Sequence, residues 1–110
     1  MVADPPPFSS TPNEHRGASR AAVTIEADLR KVGRTAFKVL VVDLSQTGCR
    51  AETLSKVYVD DRVWITLPGF APIEAIIRRA DHHGFGAQWQ APLHPSIFDH
   101  IRARFPDMFR

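Results

Sequence analysis

"RAAVTIEADLRKVGRTAFKVLVVDLS", residues 20–45, holds two hydrophobic runs of different texture on either side of one polar turn. In the first, Val23, Ile25, Ala27 and Leu29 alternate with Thr24, Glu26 and Asp28. A period of two sends apolar groups to one face of an extended chain and polar groups to the other, so residues 20–30 read as a strand with one wet face. "TAFKVLVVDLS", residues 35–45, is β-branched and aromatic and reads as a second, more buried strand. "RKVG", residues 30–33, supplies a polar turn with a glycine between them. A hairpin turning near Val32 pairs residues whose numbers sum to about 64, which sets Arg20 opposite Leu44 at a separation of about 4.5–5.5 Å.

Working outward, the same texture continues. "GCRAE" (48–52) can form a short third strand, and Asp60 and Asp61 mark a turn before the alternating "RVWITL" (62–67). "LPGFAP" breaks the chain, and "IEAIIRRA" (73–80) and "GFGAQW" (84–89) flank the turn "DHHG" as another hairpin. Six short strands with a turn every ten or so residues point to a small antiparallel β-barrel. The end differs, because Ile97, Ile101 and Phe105 repeat at helical spacing. With Ser96 and Asp99 as a capping arrangement and Pro106 as a stop, a helix over about 96–105 is expected to cover the barrel. Residues 1–13, with Pro5, Pro6, Pro7 and Pro12 among small polar residues, read as a flexible tail before a domain spanning 14–106.

A chain of 110 residues buries one core and not two. Its 44% hydrophobic and 24% charged residues are those of a soluble globular domain, and no apolar run approaches the roughly 18 residues of a membrane span. "MVADPPPFSS" lacks the basic and apolar regions of a secretory signal. Cys49 is the single cysteine, which excludes an internal disulfide and a CxxC zinc pair. A reducing, cytoplasmic setting is expected. Net charge is only +2, yet eleven arginines stand against three lysines. Arginine binds phosphate in bidentate fashion and stacks on flat rings, whereas lysine does neither well.

"NEHRGASR" (13–20) sets Arg16 and Arg20 four apart beside small residues, and "VVDLSQTGC" (41–49) stops a hydrophobic run at Asp43, Ser45 and Gly48. Antiparallel pairing of the first hairpin brings both stretches to one rim. Two guanidiniums there offer donors to phosphate or to the O6/N7 edge of guanine. Asp43 repels phosphate but accepts from guanine N–H groups, or orients an arginine; Ser45 can donate or accept. Gly48 permits close backbone approach or a positive φ. Arginine, carboxylate and hydroxyl together suit a guanine nucleotide better than a bare phosphate.

"RGASR" matches RxxxR and "DLSQTG" matches [D/N]xSxxG, in the order and at about the separation seen in PilZ domains, which residues 15–105 resemble. The resemblance implies a six-stranded antiparallel barrel of the split-barrel kind with a C-terminal helix. It also implies reception of cyclic di-GMP, the bacterial second messenger, without a cofactor. Carried over, Arg16 and Arg20 grip phosphates and guanine edges, Asp43 and Ser45 contact a guanine, and Gly48 gives the backbone room. The expected mechanism is ordering of the N-terminal arginine loop by the ligand, with the signal passed to a separate, unidentified protein partner. A PilZ-fold adaptor that binds no nucleotide is the alternative.

Plainer readings stand beside these. Arg16 and Arg20 are open to being solvated charges, Asp43 and Ser45 to being turn formers, and Arg50 and Arg78 to being either rim or ordinary surface. His82 and His83 are adjacent and make a poor metal pair, and His15, His94 and His100 are scattered, so no metal site is expected. Cys49 reads as a small buried hydrophobe, Trp89 as packed under the helix and Trp64 as exposed. Exposed strand aromatics are too few for a nucleic-acid barrel. No nucleophile–base pair or paired carboxylates can be assembled, so an enzyme is not expected.

Overall fold

β1 (Arg20–Lys31) and β2 (Phe37–Ser45) form the hairpin that opens the fold in the computed structural model, which describes residues 20–106. Arg34 N–H donates to Lys31 O at 3.1 Å and Gly33 takes a φ of 70°, a left-handed turn position that favours glycine. Val23, Ile25, Ala27 and Leu29 all point into the core, as the alternation requires. Residues 1–19, including Arg16 and the Pro-rich stretch, lie outside the described residues, as do 107–110.

β3 (Gly48–Glu52), β4 (Arg62–Thr66), β5 (Ile73–Ala80) and β6 (Gly84–Trp89) complete a closed antiparallel barrel in the order β1–β2–β3–β6–β5–β4. Pairing of β1 with β4, from Asp28–Thr66 to Lys31–Val63, closes the ring. The interior is packed with Ile25, Leu29, Val41, Leu44, Ile65 and Ile77, each at most 1% exposed. Burying each such side chain is worth about 1.5–3 kcal/mol. Before β4, Asp60 adopts a φ of 77° and Asp61 Oδ2 accepts from Tyr58 N–H at 3.0 Å, forming the turn expected at the two aspartates.

The hairpin register is one or two residues from the expected sum. Arg20 faces Ser45 and Ala22 faces Asp43, but beyond an irregularity Ile25 faces Val41. Two residues of β1, Val23 and Thr24, there oppose the single Val42 of β2, which is a β-bulge. Two more bulges follow. Between Val41–Ala51 and Asp43–Arg50, β2 carries an extra residue, and between Ile77–Ala87 and Arg79–Gly86, β5 does.

The helix α1 (Pro95–Arg104) starts one residue earlier than expected, and its cap is different. His94 is the N-cap, its Nδ1 accepting from Ser96 N–H at 3.0 Å, with Pro95 in the first turn where a missing N–H costs nothing. The buried face also differs from the one expected. Phe98 and Ile101 are buried and Phe105 packs partly against the core, while Ile97 lies 40% exposed. Asp99 pairs with Arg102 at 3.3 Å instead of capping. Beyond the helix, Pro106 bridges to Val23 in the bulge of β1. No helix among the described residues is long and apolar enough to cross a membrane.

Candidate functional site

The bulges fall along one line across the outside of the barrel. Successive register pairs join Ala22, Asp43, Arg50, Gly86 and Arg79 on β1, β2, β3, β6 and β5. Strand alternation alone gives Asp43 the same parity as buried Val39 and Val41, and Arg79 the same parity as buried Ala75 and Ile77. The bulges in β2 and β5 break that parity and turn a charged side chain out of the core. A cleft of about 860 Å³ runs over this row, lined by Arg20, Asp43, Arg50, Arg79 and Gly86 and reaching the Asp81–His83 turn.

At its β1–β2 end, Arg20 Nη1 lies 3.9 Å from Asp43 Oδ2, with the two side chains 42% and 31% exposed. Burial holds the Asp43 carboxyl above its ordinary range, opposed by the positive charges of Arg20 and Arg50 and by the Leu44 amide. The pair leaves both groups accessible, and a half-exposed contact at this distance holds them loosely. At the far end, Asp81 Oδ1 accepts from the amides of His83 and Gly84, at 2.8 and 3.0 Å. These bonds lower its carboxyl pKa and make it the lock of the β5–β6 turn. The cleft thus carries three guanidiniums and several carboxylates, a mixed lining suited to a ligand that is both anionic and rich in N–H donors.

Ser45 has a different place. Its side chain is buried, with the residue 5% exposed, and its Oγ accepts from Gly48 N–H at 3.1 Å and Thr47 N–H at 3.3 Å. It also lies 3.3 Å from Gly48 O as a donor. The Ser45 carbonyl accepts from the Trp89 indole at 3.1 Å. Gln46 and Thr47 are fastened too, through Leu93 N–H to Gln46 O at 2.7 Å and Trp89 N–H to Thr47 O at 2.8 Å. Gly48 sits in extended β3, paired with Gln88, and does not take a positive φ. Ser45 and Gly48 therefore build the corner behind Asp43, while Arg20 and Asp43 face the cleft.

Of the two further arginines weighed from the sequence, Arg50 lines the cleft. Arg78 does not: its Nε donates to Gln88 Oε1 at 2.9 Å and its Nη1 lies 3.8 Å from Asp60. Its neighbour Arg79 takes that role, which period-two reasoning misses because the bulge in β5 has no signature in the residues themselves. Trp64 is half-buried beneath Arg30, 5.2 Å from the ring centroid, and Trp89 is buried beside Ser45. Cys49 is buried in apolar surroundings that push its thiol up to about 12. No three His, Cys, Asp or Glu among the described residues cluster to hold a metal. Compared with protein-family models and with curated proteins, the sequence matches none.

Proposed function

We propose that this chain is a receptor domain for cyclic di-GMP, bound in the outer cleft at the Arg20–Asp43 corner. The observation that carries the reading is the juxtaposition of a guanidinium and an accessible carboxylate, 3.9 Å apart, at the mouth of a cleft of about 860 Å³. Arg20 offers donors to a phosphate or to a guanine O6/N7 edge, and Asp43 accepts from the guanine N1 and N2 hydrogens. Ser45 and Gly48 set the corner's shape. Arg16, four residues before Arg20, supplies the second guanidinium of the motif. The ligand and the segment 13–20 together form the surface read by a separate protein partner.

The mixed lining also argues against a nucleic-acid channel, since carboxylates on a backbone-tracking groove repel its phosphates. Titration calorimetry with cyclic di-GMP, GTP and a single-stranded oligonucleotide tests the reading. Cyclic di-GMP binds and the other two do not, and Arg20→Ala weakens binding at least tenfold. Equal affinity for the Arg20 variant removes the site; no binding of cyclic di-GMP by the wild type leaves the nucleotide-free adaptor.

A further inference from the structure

Two exposed arginines stand on either side of a glycine in the middle of the cleft. Arg50 on β3 and Arg79 on β5 are both register partners of Gly86 on the intervening β6. Two strand spacings separate their backbones, about 10 Å. Gly86 contributes no side chain to the outer face, so the two guanidinium stems rise beside a bare stretch of backbone. Among the described residues neither arginine has an ion-pair partner within 4 Å, unlike Arg62, Arg78 and Arg102. Arg79 is on this face only because of the bulge in β5 that follows Ile77.

We infer that Arg50 and Arg79 clamp a planar base between their guanidinium faces above Gly86, forming a second base-binding subsite of the cleft. The inference rests on the cyclic dinucleotide reading, which assigns one guanine to the Arg20–Asp43 corner and names no partner for the other base among the described residues. A flat ring between two guanidinium planes needs about 7 Å from plane to plane, twice a contact distance of about 3.5 Å, and a backbone gap of about 10 Å with long side chains accommodates it. Guanidiniums stack on aromatic faces, and stacking does not depend on which edge of the base is presented. Lysine keeps the charge but not the flat face. The clamp is therefore separable from simple attraction to phosphate.

Calorimetry with cyclic di-GMP on Arg50→Ala, Arg79→Ala, Arg50→Lys and Arg79→Lys tests it. Both side chains are exposed and clear of the core, and thermal melts matching the wild type verify the fold. Alanine at either position weakens binding at least tenfold, and lysine restores less than half of that loss on a logarithmic scale. Full restoration by lysine overturns the clamp in favour of a charge contact. Wild-type affinity in the alanine variants overturns the subsite while the cyclic dinucleotide reading stands. Absence of binding by the wild-type protein overturns both.

Discussion

Ser45→Ala separates a side chain that builds the site from one that touches ligand. In the folded chain Ser45 Oγ accepts the Gly48 amide at 3.1 Å and the Thr47 amide at 3.3 Å, and the Ser45 carbonyl is engaged by Trp89. Alanine removes the acceptor of the buried Gly48 N–H. Such an orphaned donor costs about 1–3 kcal/mol. The Thr47 amide is only partly buried and can turn to water, so it adds little. The expected loss is about 2 kcal/mol, which for a domain of this size lowers the melting temperature by roughly 8 °C. Asp43→Ala is the comparison, because its loose, partly exposed pair with Arg20 is worth no more than about 1 kcal/mol and its removal also relieves a desolvated carboxylate. Thermal unfolding followed by circular dichroism measures both variants. A Ser45→Ala shift below about 2 °C, or one no larger than that of Asp43→Ala, refutes the assignment of Ser45 as the lock of the β2–β3 corner.

The remaining expectations concern charge, reactivity and packing. Because burial raises the Asp43 pKa, the native state binds this proton more readily than the unfolded chain. Between the ordinary carboxylate value and the raised one, this group makes stability fall as pH rises. Denaturant titrations should show that slope reduced in Asp43→Asn, and an unchanged slope counts against the assignment. For the same reason cyclic di-GMP affinity should decline as acidification protonates Asp43, starting above the pH at which an ordinary aspartate titrates; calorimetry across that range gives the answer. Cys49, buried and with its thiol pushed up to about 12, should resist alkylation until the barrel unfolds. Rapid labelling in native buffer contradicts its burial. At Gly84 a Cβ would run into the backbone of Ala51 and lie 2.9 Å from Glu52 Cα on the paired strand. Gly84→Ala should cost about 1–3 kcal/mol in urea unfolding, and a neutral result means that β3 and β6 can separate without penalty.

Much of the barrel is determined by the residues locally. Alternation at Val23–Leu29 fixes which face of β1 turns inward, because side chains of an extended chain point to opposite sides whatever the rest of the fold does. The limits of β3, β5 and β6 follow from the glycines, prolines and aspartates that interrupt the runs. The meeting of Arg20 with Asp43 is legible too, since antiparallel pairing around residues 31–34 brings them to one rim even with a slip of one or two positions. Closure of the ring decides the rest. Three extra residues, in β1, β2 and β5, enter the ladder as bulges where six twisted strands meet, and no local pattern marks them. They turn Asp43 and Arg79 from core parity to the outer face and choose Arg79 over Arg78 for the cleft. The helix cap passes to His94 for a similar reason: the chain must leave the Leu93–Gln46 contact before α1 can begin. Local residues determine the strands and the corner; the closed ladder decides which charged side chains share one surface, because only pairing among all six strands sets where the register breaks.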